Sequence, residues 1–540
     1  MKNIKIEWEK IPGWIYVSTV ILIILVFYGR TAGYEFFIFD DNIHLAGKRE
    51  INPLTWSSLV WIWTHSLMPV PYTVWGLAGL VFGTKNPIPY HLLSVFVYTV
   101  NVFLVNIWIG YFLNVYFLKN QGRAHSWTVS REKIRLAAMI GSIFFLLHPV
   151  HVEVTAWVSC LKDQLALMFA LISFIFYFKS RNSTNKPWIQ IILIIVFMFL
   201  SILSKATYGI LPLAFIFLDI FLYKIKWKSI LTYNPATLVP VFIFGIFYFF
   251  RISRGTFDYN IYLRYIVAIH SWWFYLVKNI LPYNLNFDYG HTFFQIKKIF
   301  SESYPARINF MIFIFIACGT IFLKYKRIID FAFLIFFLFL IFLLPHLGIV
   351  SHNFQNISVV SDRYSFLSSV VHSLVMSFAV LYIIKHVCKL RVRAFFFLAM
   401  AGYLAFFMTI SFNQISRWKN SGTLLGHSLS LNPLSFPLNT AYGEYLWGRG
   451  RKKEALRFLL DAVIIKPYLH EALERLFMKY LYLKKTSGFF EIYDAHLDYY
   501  YKGNRNVRLN MLSLCEKNKN LFSNSKQFKH TKMFFIKKTE

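Results

Sequence analysis

The sequence predicts an all-α, polytopic membrane protein of about eleven spanning helices, followed by a C-terminal helical segment. Three observations predict it. Hydrophobic residues make up 57% of the 540 residues against 15% charged, apolar runs recur along the first 411 residues, and basic residues gather in short loops at alternate junctions. A soluble domain cannot hide so much apolar surface, because about a quarter of an average globular chain is charged. Lipid accepts it.

A spanning helix needs about 20 apolar residues. The candidate spans, in order, are Ile11–Tyr28, His91–Leu118, Leu136–Leu147, Gln164–Phe178, Trp188–Leu203, Thr207–Tyr223, Ala236–Phe250, Ile308–Leu323, Asp330–Leu344, Phe366–Ile384 and Ala394–Ser411. The basic loops hold Lys2, Lys5 and Lys10, then Lys119, Arg123 and Arg131, then Lys179 and Arg181, and so on to Arg393. By the positive-inside rule these face the cytoplasm. The N-terminus is then cytoplasmic, the C-terminus lies outside, and the two long loops, 29–90 and 252–307, are outer. The formal charge of +32 is spread over those loops, which argues against nucleic acid as a partner and for lipid headgroups. Tyr262–Leu281 is apolar and Trp-rich but carries Arg264, His270 and Lys278; it reads as an in-plane or re-entrant segment. Trp56, Trp61 and Trp63 suit the headgroup layer and predict a short helix lying on the membrane. Cys160, Cys318, Cys388 and Cys515 show no paired spacing, so neither a disulfide framework nor a zinc site is expected.

After Ser411 the composition turns polar and helix-forming. Pro433 and Pro467 stand 34 residues apart, with Gly443, Gly450, Ala455 and Ala462 between them. That is the tetratricopeptide period, with small residues where two antiparallel helices pack closely. The expected organisation is a transmembrane domain over 1–412, a tetratricopeptide-like helical domain over 413–500, and a basic, polar, loose tail over 501–540.

Ionisable residues near membrane depth are expensive and mark candidate sites. Asp40 and Asp41 adjoin in the first outer loop. Adjacent carboxylates suit a general base, or a ligand for a divalent cation, or a solvated turn that caps a helix. His148, His151 and Glu153 follow a helix, Leu136–Leu147, that is only about 18 Å long at 1.5 Å per residue, with Lys162 and Asp163 close behind. Two histidines three apart suit metal ligands, or simply brace the turn. Lys205 lies in a tight outer turn, and Asp362, Arg363 and Tyr364 stand at the entrance of the tenth helix. A guanidinium there can grip a phosphate through its planar fork, or clasp a neighbouring acid.

FDDNI at Phe39–Ile43, HPVHVEVTAWVSCLKD at His148–Asp163, LSKATYGILPLAFIFLD at Leu203–Asp219 and SDRYSFLSS at Ser361–Ser369 resemble the transmembrane and tetratricopeptide-repeat O-mannosyltransferase family and its bacterial relatives. These are GT-C glycosyltransferases that use polyprenyl-phosphate sugars. The resemblance implies a GT-C-like membrane domain that transfers a sugar, mannose in the named family, from a polyprenyl-phosphate donor to a hydroxyl of a protein or glycan at the outer face, with inversion. It implies Asp40 as base, Asp41 as its near-equal alternative, Glu153 and His151 orienting the acceptor or a cation, and Lys162, Lys205 and Arg363 on the donor phosphate. A protein partner would dock on 432–467. The short repeat array points to a bacterial inner-membrane protein. No cofactor is required by the motifs, and a divalent cation is left open. The chain departs from the family at Cys160-Leu161, Ala206 and Val70, where Gly-Arg, an acid and Arg are usual. Those departures keep two rivals in view, a non-catalytic scaffold and a transporter or flippase.

Overall fold

The computed structural model describes residues 12–45, 47–119, 129–182, 187–226, 261–292, 296, 326–349, 358–466, 470–494, 505–522 and 525–537, and among these there is no strand. The chain divides into two units, one formed by 1–287 with 291–420 and the other by 288–290 with 421–540.

In the first unit, α1 (Gly13–Tyr28) leads into the outer-loop helices α2 (Asp41–His44), α3 (Trp56–His65) and α4 (Pro69–Phe82). The long α5 (Ile88–Lys119) follows, then α6 (Arg131–Leu147), the one-and-a-half-turn α7 (His151–Ala156), α8 (Leu161–Asn182), α9 (Pro187–Ser204) and α10 (Leu211–Phe221). Next come α11 (Ile261–Ile280), α12 (Lys326–Leu343), α13 (Ser369–His386) and α14 (Leu390–Arg417). Helix α8 packs along α9 and α5, and α6 packs against α5 and α13. The α6–α13 crossing is close because Gly141 has no side chain: a Cβ there would lie 1.9 Å from Ser377 Oγ and 2.5 Å from the Ser373 carbonyl. Small residues at such crossings are how helices associate where lipid offers no hydrophobic drive.

Five stretches are long and apolar enough to cross a membrane: Gly13–Gly33, Ile88–Phe117, Val158–Asn182, Ser369–His386 and Leu390–Arg417. The expectation of eleven is therefore corrected to five among the described residues. Trp188–Leu203, Thr207–Tyr223 and Asp330–Leu344 fall on apolar helices of 10–17 residues; the first two are separated by the break at Lys205, and Pro212 stands at the start of α10. Pro69–Phe82 is a further short apolar helix, inside the long outer loop 29–90. Ala236–Phe250 and Ile308–Leu323 lie outside the described residues. Helix α6 is also longer than expected. Ser130 caps it, accepting from the Lys133 N–H at 3.3 Å, and its 17 residues give about 25 Å, so the third helix is not the short span expected. The expected in-plane or re-entrant segment Tyr262–Leu281 falls on one continuous helix, α11, which ends at Ile280.

The second unit holds α15 (Ser421–Leu431), α16 (Phe436–Gly448), α17 (Lys452–Ile465), α18 (His470–Tyr482), α19 (Thr486–Ile492), α20 (Arg505–Lys517) and α21 (Ser525–Lys537). Helices α16 and α17 form a tight pair. A Cβ on Gly443 would stand 2.8 Å from Leu459 Cγ and 3.1 Å from the Ala455 carbonyl. The unit begins at 421 because α14 runs on unbroken to Arg417, past the expected boundary at 412. Residues 505–537 form two helices where a loose tail was expected. Met511, Cys515, Phe522 and Phe535 are buried in one core with Leu473, Phe477 and Phe489. The polar composition of the tail hid apolar residues recurring at helical spacing. Pro467, the end of the expected repeat, lies outside the described residues.

Candidate functional site

After α1 the chain makes a tight turn over Gly29–Gly33 and runs extended to Phe37. Arg30 ties this exit to the end of α14, donating to the Phe412 carbonyl (2.6 Å) and Ser416 Oγ (3.1 Å). The two adjacent aspartates then part company. Asp41 is buried, and both its oxygens are occupied: Oδ2 accepts from the Phe37 N–H at 2.8 Å, and Oδ1 from the Ser159 N–H at 2.9 Å and from the Ser159 hydroxyl. Burial pushes its carboxyl up to about 6, against the pull of those donors. Asp41 therefore fastens the outer loop to the turn before α8. Asp40 stays about one-third exposed, with Oδ2 4.0 Å from His44 Nε2, one helical turn on.

His44 is held firmly. Its Nδ1 lies 2.7 Å from the Tyr72 hydroxyl, and its ring stacks on Trp75 with centroids 5.8 Å apart. Burial, then the charge of Lys162, drives its pKa down to about 4, with Lys48 adding to the shift and Asp40 opposing it. The imidazole is neutral at physiological pH.

Proline 149 stops α6 after His148, and the chain winds through α7 and the 3-10 turn Val158–Cys160 before α8 begins. This winding brings the remaining candidates together around Cys160, whose thiol feels the charges of Asp163, Glu153, Arg363 and Lys162. Glu153 and Arg363 form a buried pair. Nη1 of Arg363 meets Glu153 Oε1 at 2.5 Å, its backbone N–H meets Oε2 at 3.1 Å, and Ser361 Oγ donates to Oε1 at 3.2 Å. Burial pushes the Glu153 carboxyl up while the guanidinium and its hydrogen bonds draw it back. Lys205 forms a second pair with Asp163. Tyr364 stands between the two, its ring 4.9 Å from the Arg363 guanidinium carbon and 5.3 Å from Lys205 Nζ, and stacked on His346. Asp362 is buried, and its charge acts on Lys278. Lys162 differs from the other cations. It is half-buried and makes no hydrogen bond or ion pair among the described residues.

The two histidines of the turn sit inside the packing. His151 is wedged against Phe145 and Phe366. Its Nδ1 is 2.7 Å from the Phe145 carbonyl, and its Nε2 is 2.6 Å from Ser369 Oγ. His148 Nε2 is 3.0 Å from the Asn279 carbonyl, beside His372 and Phe407. Their nitrogens brace α6, α11 and α13. Among the described residues no three His, Cys, Asp or Glu gather as a metal site. The Asp40–Asp41 pair offers one open carboxylate rather than two, because both Asp41 oxygens already accept.

The structure thus joins Asp40, Asp41, Glu153, Lys162, Asp163, Lys205, Arg363 and Tyr364 at one locus. It adds His44, Tyr72 and Ser159, which the sequence reading did not select. His44 was within reach of sequence reasoning, since it lies four residues after Asp40 and so on the same helical face. Nothing local marks Tyr72, 28 residues from its partner.

Over 165 residues the chain is 22% identical to human Protein O-mannosyl-transferase TMTC4. The match takes in 28% of this chain and 21% of that protein, so the chain spans about a fifth of the length of the curated relative it matches. No family model matches the chain, and no solved structure matches it.

Proposed function

We propose that the chain is a membrane glycosyltransferase that passes a sugar from a polyprenyl-phosphate donor to a hydroxyl of a protein or glycan. The observation that carries this reading is the division of labour at the site. Asp40 is the one carboxylate of its pair left open, and Lys162, which makes no hydrogen bond or ion pair among the described residues, acts electrostatically on the same His44. The partial likeness to a protein named as an O-mannosyl transferase supports the reaction class, and mannose is the first sugar to try.

In the reaction, the acceptor hydroxyl gives its proton to Asp40 and its oxygen bonds to the anomeric carbon. The bond from that carbon to the phosphate oxygen breaks, and the phosphate leaves with the electron pair. Attack opposite the phosphate inverts the anomeric centre. Lys162 meets the phosphate charge. Lys205 and Arg363, held by Asp163 and Glu153, fix the floor and present the Tyr364 ring between them. Glu153 acts through Arg363 rather than as a proton acceptor. The α16–α17 pair, with its close contact at Gly443, fits a single tetratricopeptide-like repeat that receives an acceptor or partner protein.

A second reading, a non-catalytic scaffold, draws support from the two closed ion pairs, in which Lys205 and Arg363 are each already held by an acid. Mass spectrometry of envelope proteins and glycans from cells with and without this chain separates them. A glycan that disappears with the chain supports transfer, and an unchanged profile supports the scaffold.

A further inference from the structure

We infer that His44 is the positioning residue of Asp40: its Nε2–H faces and orients the carboxylate that takes the acceptor's proton, and Tyr72 fixes that tautomer. The inference rests on the reading just given. It begins with Tyr72, whose hydroxyl has His44 Nδ1 as its one hydrogen-bond partner among the described residues, at 2.7 Å. An ordinary phenol is protonated at neutral pH and, when buried, needs an acceptor for its O–H. Tyr72 is 6% exposed, so it donates to Nδ1. A neutral imidazole carries one N–H, and with Nδ1 accepting, that hydrogen belongs to Nε2, the atom 4.0 Å from Asp40 Oδ2.

The ring cannot turn to another task. It is stacked on Trp75 and set edge-on to Tyr72, at 5.7 Å. The charged groups around it are Asp40 on its own helix, Lys162 at the start of α8, and Lys48, which faces Trp61 and Tyr72 and is bridged to Glu50 at 3.4 Å. The two lysines and burial keep the imidazole uncharged. That matters chemically. A neutral N–H aligns the carboxylate, whereas an imidazolium would neutralise it and weaken it as a base. The 4.0 Å separation is longer than a hydrogen bond, and such contacts commonly tighten when substrate arrives.

The test measures the initial rate of the chain-dependent glycosylated product in isolated membranes, with the full chain at equal abundance. His44→Phe keeps a ring on Trp75 and removes the N–H. A hydrogen bond to a charged group corresponds to a loss of about 10- to 100-fold, and His44→Gln, which restores an N–H donor, should recover most of it. The decisive arm is the double variant. In an Asp40→Asn background, His44→Phe should cost nothing further, since its only route to the chemistry is that carboxylate. Full activity in His44→Phe, or a loss that multiplies with that of Asp40→Asn, overturns the inference. If His44→Phe does not accumulate, Tyr72→Phe carries the same comparison, because it frees the tautomer. Full activity in Asp40→Asn would end the functional reading, and this inference with it. A loss in Asp40→Asn beside an unchanged His44→Phe ends this inference alone.

Discussion

Removing the Glu153 side chain should be among the costliest single changes in the first unit. Glu153 and Arg363 are 2% and 7% exposed, and the carboxylate accepts three hydrogen bonds from the 361–363 turn. Glu153→Ala deletes all three and takes from the buried guanidinium the carboxylate it is paired with. Breaking a buried pair this way costs about 3–5 kcal/mol, most of it from the stranded charge rather than the lost attraction. The double variant Glu153→Leu/Arg363→Met removes both charges and fills the space with apolar atoms. It should therefore recover most of the stability, since apolar replacement of a buried pair is often neutral or better. Equilibrium unfolding of the purified full chain by SDS in mixed micelles measures both. A double variant as unstable as Glu153→Ala would refute the reasoning, as would a Glu153→Ala cost below about 1 kcal/mol, the scale of an exposed pair.

Asp41 gives a pH signature. Its folded pKa of about 6 lies above its ordinary value of 3.8, so the folded state holds the extra proton between those limits. Stability should fall as pH rises from about 4 to 6, and Asp41→Asn should flatten that slope in the same unfolding assay. Lys162→Met should raise the KM for the polyprenyl-phosphate donor by about tenfold or more while leaving unfolding unchanged, because the ammonium has no partner among the described residues to strand; an unchanged KM would remove it from the phosphate. Gly443→Ala should destabilise the α16–α17 pair by about 1–3 kcal/mol, the usual cost of overpacking. Its Cβ would meet Leu459 at 2.8 Å, and an unshifted unfolding transition of the second unit would contradict that contact.

The residues differ in how much they disclosed before the structure was known. Helices α1, α5, α8, α13 and α14 were legible because lipid imposes a length and an apolar composition that a sequence displays directly. The shorter helices were overcounted because Trp188–Leu203, Thr207–Tyr223 and Asp330–Leu344 are apolar enough to span but fall on helices of only 10–17 residues. The ionisable residues of the site were legible as types, since charge is rare in an apolar chain, but their partners were not. Asp40 and Asp41 look equivalent in sequence; only the fold delivers Ser159 to one and His44 to the other. The Glu153–Arg363 pair spans 210 positions, and no local pattern records it. His148 and His151, attractive as a spaced pair, face a carbonyl and a serine hydroxyl instead of solvent. The C-terminal helices were missed because composition, rather than periodicity, decided the expectation for 501–540.

The most direct measurement compares wild type with Asp40→Asn, each purified, shown to be folded, reconstituted in nanodiscs, and supplied with radiolabelled polyprenyl-phosphate mannose and a serine/threonine-rich peptide. A positioned base contributes about 10²- to 10⁴-fold. The account predicts label in the peptide with wild type and a loss of that size with Asp40→Asn. Equal labelling by the two proteins would contradict it.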